Sequence, residues 1–330
     1  MIDFNALAVK QGVLFSLLRY VSFFISFSGQ LFLLRILVPE DFGQYAVLVS
    51  LIEIVCAFTL SGIQHAAIKY QHLPLIFENS FGLAILSSIA TVIISLIIFI
   101  TTEVIFDFEN ARNAFAILTL SKAMAGFSSV YTASLLKDMN FTAVGLVDIY
   151  SNILGIIVGL IMASLGFGFL ALVGREVVFS WLKLFLLRKA AKIKLRFRFD
   201  LAVIKEMLLF IKSLLLVTFS SVLVLRSPSL VFGFAETKTF IGVYDRTYYL
   251  SQLPNTILSP VLNNFSFTLF SKITNEHEKI KKILELQIFV LTRAVLPVFV
   301  VFNFYQELIV LLLGMNWADI TDTVKHFSLL

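Results

Sequence analysis

The chain has 330 residues, of which 59% are hydrophobic and only 14% charged, and its mean hydropathy is +0.94. Soluble domains carry about a quarter charged residues, so this composition excludes a water-soluble enzyme, a nucleic-acid binder and, with Cys56 the single cysteine, a disulfide scaffold. At about 20 apolar residues per span, the length accommodates roughly nine or ten membrane helices, and the net charge of +5 must be read from its distribution.

Apolar runs bounded by turn residues and charges predict spans near 11–36, 44–67, 79–101, 113–136, 143–164, 168–188, 207–233, 243–271 and 284–313. A tenth helix is expected to begin near Trp317 and to be incomplete at Leu330. The expected fold is an all-α polytopic bundle. Its longest polar stretch, 189–206, is too short for a catalytic domain. No small-residue cleavage site follows the first apolar run, so span 1 is expected to persist in the mature protein.

Orientation follows from the Lys/Arg bias. With the N-terminus cytoplasmic, fourteen cations fall in cytoplasmic segments, among them Lys10, Lys69, Lys137, Arg188, Lys189, Arg196, Arg198 and Lys205; only Arg35, Arg112 and Lys238 fall outside. The outside turns carry acids such as Glu40, Asp41 and Glu236. The basic stretch 188–198 therefore reads first as a topology signal, with anionic lipid headgroups as a secondary partner.

The end of span 1 and the end of span 7 echo each other. Phe42-Gly43-Gln44-Tyr45 and Ile241-Gly242-Val243-Tyr244 both follow an outside turn bearing an acid, 199 residues apart. Six spans separate them, so both copies point the same way, as in a parallel repeat of six-helix lobes.

Four segments in register resemble the polysaccharide-exporter family of Wzx-type oligosaccharide flippases, within the multidrug/oligosaccharidyl-lipid/polysaccharide superfamily. They are Leu37-Val38-Pro39-Glu40-Asp41-Phe42-Gly43-Gln44-Tyr45-Ala46, Leu165-Gly166-Phe167-Gly168, Ile241-Gly242-Val243-Tyr244-Asp245-Arg246-Thr247-Tyr248 with the downstream Leu253-Pro254, and Gly314-Met315-Asn316-Trp317. The resemblance is closest to the colanic-acid-exporter branch, although Arg226-Ser227-Pro228-Ser229 stands where that branch often has Asn-x-Asp. It implies a two-lobe fold, with residues 1–195 as the N-terminal six-helix lobe and 196–330 as an incomplete second lobe. A truncated reading frame is the corresponding expectation.

The resemblance also implies the cargo, an isoprenoid-pyrophosphate-linked oligosaccharide moved from the inner to the outer leaflet of the bacterial cytoplasmic membrane. Such a cargo needs a wet, cationic cavity, because pyrophosphate and sugar cannot cross hydrocarbon unaided. Intramembrane cations are costly unless they face such a cavity, which makes Lys122, Arg175, Arg226, Arg246 and Arg293 the candidate substrate-binding residues. The competing role is an interhelical ion pair, for example Arg175 or Arg226 with Asp148 or Glu53. Lys183 and Lys212 are expected to snorkel to the cytoplasmic surface.

Glu53, Asp148 and Glu176 are candidate ion-coupling acids, since there is no G-x-x-x-x-G-K phosphate loop for ATP. Pro228, Pro254, Pro260 and Pro297 interrupt the later spans and are candidate hinges. Ser151, Gly155, Gly159 and Ala163 form a small-residue face that favours close helix packing.

His65, His72, His277 and His326 lack metal spacing, and no cofactor or nucleic-acid partner is expected. The expected partners are the lipid-linked oligosaccharide, membrane lipids and polysaccharide-assembly proteins. The alternatives are a drug or cation antiporter of the same superfamily, which would prefer an acidic cavity, and a membrane polysaccharide polymerase, which would need a larger outside loop.

Overall fold

The structure is a computed structural model. It describes residues 4–253 except 74, 107, 109, 192 and 194, and beyond them only 256, 285, 288, 289, 292, 293, 300, 310, 311 and 313–318. The helices are α1 (Phe4–Ile36), α2 (Pro39–Thr59), α3 (Ile63–Lys69), α4 (Ile76–Phe106), α5 (Ala111–Lys137), α6 (Phe141–Ser164), α7 (Leu170–Ala191), α8 (Leu201–Ala235) and α9 (Lys238–Ser251). A 3₁₀ turn covers Met315–Trp317. No strand occurs among the described residues.

Among the described residues, six stretches are long and apolar enough to cross a membrane: Leu14–Ile36, Pro39–Lys69, Ile76–Ile100, Ala111–Lys137, Phe141–Ser164 and Leu201–Gly233. The chain is therefore a multi-pass helical membrane protein. The expected sixth span is present as α7, but Arg175, Glu176 and Lys183 make it too charged to qualify by composition. Most of the expected spans 8 and 9, and the tenth helix, lie outside the described residues, so the described residues do not establish the nine-span count or the six-plus-six repeat.

The expected second span is in fact two helices. Leu60 caps α2, and α3 begins after Gly62, whose φ of 85° lies in the left-handed region. Only glycine adopts that conformation at little cost. A Cβ there would also come within 3.3 Å of Ile211 on α8. Pro39, which the sequence places in a loop, is the first residue of α2, where its missing N–H costs nothing. Asp41 closes this helix start by accepting from the Val38 N–H at 3.1 Å.

The chain divides into two compact units, Met1–Ile241 and Gly242–Leu330. The first unit holds α1 to α8, so α8 packs with the first seven helices, chiefly on α2. The lobe boundary expected at 195/196 rests on the repeat and remains an expectation.

Lipid gives helices little hydrophobic reason to associate, so close van der Waals fit must hold them. The small-residue face of α6 supplies that fit against α7. A Cβ on Gly155 would lie 3.0 Å from the Arg175 carbonyl oxygen, and one on Gly159 would lie 3.1 Å from the Arg175 Cβ. Gly145 and Gly29 make similarly close approaches to Leu18 and Ile156, joining α1 to α6. Between α2, α5 and α7, Leu48, Ile52, Phe115 and Leu118 form a fully enclosed core. Ile63, Ile76, Val130, Met207 and Ile211 knit α3, α4, α5 and α8 together at the opposite end.

After α7, residues 195–200 run straight, with no turn or bend. This strap crosses α4 at Gly82, where a Cβ would sit 2.2 Å from the Arg198 carbonyl oxygen. Asp200 donates its N–H to the buried Asn79 Oδ1 at 2.7 Å, and its own carboxylate accepts from Ala202 to start α8. The Gly82→Ala variant must push backbone against backbone, so it should lose about 1–3 kcal/mol. Thermal unfolding of the purified chain in detergent should show the fall, whereas Gly166→Ala, with open space around its Cβ, should suffer only its backbone strain.

Candidate functional site

Within the first unit, α1, α3, α5, α6 and α7 surround a cavity of about 550 Å³. Its walls are the N-terminal parts of α1 and α6, the middle and C-terminal part of α5, the middle of α7, and α3. The cavity therefore lies toward the Lys137–Phe141 end of the bundle. Arg19, Lys122 and Lys183 line it together with the carboxylates of Asp148 and Glu176. Gln64, Ser128, Ser129, Thr132 and Ser180 make the remaining wall largely polar. On α7, Glu176, Ser180 and Lys183 share this face because they are spaced at helical intervals.

A charge network occupies the α2–α5–α7–α8 contact. Lys122 Nζ lies 2.6 Å from Glu176 Oε1 and 3.9 Å from Glu53 Oε1. Arg226 Nε donates to Glu53 Oε2 at 2.6 Å. These four side chains are between 20% and 31% exposed, too sheltered to rely on bulk water and too wet for a sealed ion pair. Each carboxylate of this group faces a cation on another helix. Tyr45 lies within electrostatic range of Lys122, Glu176, Glu53 and Arg175.

Arg175 is handled differently. Its guanidinium donates to Gln30 Oε1 and, at 3.1 Å, to Ser26 Oγ on α1. It makes no ion pair among the described residues. Ser22, one turn earlier on α1, accepts from Asn152 Nδ2 of α6 at 2.9 Å. Ser22, Ser26 and Gln30 thus form a polar stripe at four-residue spacing, the i, i+4 repeat that places side chains on one helix face. The sequence reading passed over that stripe and Tyr45, although polar residues four apart inside an apolar run were a usable signal.

Lys122, Arg175, Arg226, Glu53 and Glu176 are therefore brought into one neighbourhood. Asp148 is not part of it. It pairs with Lys183 at 2.8 Å on the cavity wall, where the Lys183 side chain stays 27% exposed. Arg226 takes the ion pair with Glu53 foreseen for it, whereas Arg175 takes neutral partners.

Arg246 belongs to the second unit and donates to the adjacent Asp245, with its Nε at 3.0 Å. Arg293 is exposed, 4.4 Å from the Phe289 ring centre. Pro228 lies inside α8, which continues helically through it. Pro254, Pro260 and Pro297 lie outside the described residues. No group of His, Cys, Asp and Glu capable of holding a metal is found among the described residues.

A second contact joins two of the motif segments. Gly168 has φ 54°, and a Cβ on it would fall 2.7 Å from Asp41 Oδ1. The Asp41 carboxylate also accepts from the Phe169 backbone. The turn before α2 is thus clamped to the turn before α7, at the end of the bundle opposite the cavity.

The profile of the family described as "Polysaccharide biosynthesis protein" matches residues 32–322. The chain belongs to this polysaccharide biosynthesis family. It is similar to the protein named "Succinoglycan biosynthesis transport protein ExoT" from Rhizobium meliloti (strain 1021), with 23% identity over 319 residues, covering 95% of this chain and 64% of that relative. The chain thus spans somewhat under two thirds of that relative's length. No solved structure matches. The resemblance to polysaccharide exporters carried by the four sequence segments stands with these matches.

In this family member, Lys122 is the shared counter-charge of two carboxylates. Lys122→Gln should leave Glu53 and Glu176 mutually repelling and lower stability by about 1–3 kcal/mol. Adding Glu176→Gln should recover part of that loss. A double-mutant cycle on thermal unfolding measures the coupling.

Proposed function

We propose that the chain supplies translocation machinery for a transporter that carries an isoprenoid-pyrophosphate-linked oligosaccharide from the cytoplasmic to the outer leaflet by alternating access, for cell-surface polysaccharide biosynthesis. It acts in the bacterial cytoplasmic membrane with its N-terminus inside, and it is not an enzyme. The family match and the relative named as a transport protein support the coarse class. The observation that carries the finer reading is Arg175, an intramembrane guanidinium held by two neutral oxygens rather than by a carboxylate. An unneutralised cation inside an apolar bundle is costly, and a pyrophosphate is the kind of anion that would complete it.

In this reading the cavity faces the cytoplasm, because it lies toward the Lys137–Phe141 end of the bundle. Glu53 and Glu176 hold the cations in place until the substrate arrives. Arg226 and Lys122 then exchange carboxylate for phosphate oxygens, an exchange that bidentate guanidinium contacts favour. The exchange also frees Glu53, the residue tying α8 to α2 through Arg226. Movement of α8 about Pro228 would follow, and the released carboxylates, with Asp148, would take up a coupling cation. The substrate roles of Arg246 and Arg293, and the hinge roles of Pro254, Pro260 and Pro297, belong to the same proposal.

The test is complementation by the full-length transporter in cells lacking their own exporter. Arg175→Ala should reduce surface polysaccharide at least about tenfold at normal protein level, the scale of one lost charge-assisted contact. Arg175→Lys should restore only part of it, since an ammonium lacks the planar fork. Unchanged surface polysaccharide with Arg175→Ala would remove the basis of the reading. Ethidium efflux from the same cells, with polysaccharide unaffected by any variant, would instead favour a drug antiporter.

A further inference from the structure

The cytoplasmic topology signal explains how many cations lie near residues 188–212, but not how they are arranged. On the strap the order is Arg196-Phe197-Arg198-Phe199. Alternate side chains of a straight segment point to opposite sides. Phe197 is 60% and Phe199 40% exposed, and both arginines are exposed. The strap does not drift, because the Arg198 carbonyl abuts Gly82 and the Asp200 N–H is tied to Asn79.

Beside the strap, the start of α8 forms an apolar groove of about 450 Å³, floored by the buried Ile204 and walled by Phe199, Leu201, Leu208 and Leu209. Lys205 and Lys212 also line it, two helical turns apart, and both are exposed. None of Arg196, Arg198, Lys205 or Lys212 makes an ion pair among the described residues. The nearby Asp200 carboxylate is engaged by the Ala202 N–H. The groove lies at the start of a membrane-length apolar helix, Leu201–Gly233, which the proposed orientation sets at the level where acyl chains meet headgroups. Lys212 is about 10 Å deeper than Lys205 along the helix, and a lysine stem is long enough to lift its ammonium back toward the headgroup level.

We infer that this groove is a binding site for an anionic glycerophospholipid of the cytoplasmic leaflet. One acyl chain lies along Leu201, Leu208 and Leu209, and the phosphate is held by Lys205 and Lys212. The surface suits a resident lipid and not the transported one, because it shares no residue with the cavity. The site rests on the membrane orientation and not on the identity of the cargo, so a failed export experiment leaves it standing.

Native mass spectrometry of the purified full chain, delipidated and then offered phosphatidylglycerol or phosphatidylethanolamine in mixed micelles, tests this directly. The unmodified chain should retain phosphatidylglycerol preferentially. Lys205→Gln and Lys212→Gln should each weaken that preference roughly fivefold, and the Lys205→Gln/Lys212→Gln pair should weaken it further. Lys205→Arg should preserve it, which separates lost charge from lost folding. Equal retention of both lipids, undiminished preference in the lysine variants, or stronger retention of an isoprenyl phosphate than of phosphatidylglycerol would each overturn the assignment.

Discussion

Charge inside an apolar bundle has to be answered by charge or by a hydrogen bond, and the arrangement of this protein follows from that constraint. Helix α7 carries Arg175, Glu176 and Lys183 within a membrane-length segment. It is stable there only because its neighbours supply complements: Lys122 from α5, Asp148 from α6, Gln30 and Ser26 from α1. The bundle is thus organised around α7, the most charged of its long helices, rather than around the most hydrophobic one. Breaking one such pair leaves the other partner stranded, which costs far more than the pair contributes when intact.

The two sides of this network are held differently. On one side, α1, α6 and α7 meet through glycines and small residues that allow backbone contact. On the other, α8 is anchored at its start by the buried Met207 and Ile211, and farther along it is joined to α2 by the Arg226–Glu53 pair and by an edge-on contact of Phe58 with Phe219. Packed backbones resist displacement, whereas an ion pair can exchange partners when a stronger anion arrives. A rigid wall and an exchangeable attachment in the same bundle are what alternating access requires of its parts. The cavity lies at one end of this arrangement, and the Asp41–Gly168 clamp closes the other.

The helices α1, α4, α5, α6 and α8 were legible because a continuous apolar run of membrane length has few other physical solutions. The break at Gly62 was not, because a single glycine inside an apolar run is locally compatible with an unbroken helix. Its left-handed turn lies against Ile211, a residue 149 positions away that leaves little room for a Cβ. Lys122, Arg175 and Glu176 stood out as charges in apolar sequence. Their partners did not, since Ser26 and Gln30 look unremarkable until α7 is packed beside them.

The sequence by itself determined that the chain is a multi-pass helical membrane protein of the polysaccharide-exporter type, and which of its charges stand within long apolar runs. Hydropathy and motif order are local properties, so one dimension suffices to read them. Only the tertiary structure decided which cation meets which carboxylate, that Arg175 meets none among the described residues, and that Lys183 of α7 pairs with Asp148 of α6. Those outcomes depend on which helix faces touch, and that is fixed by small-residue packing and helix rotation between segments far apart in the chain.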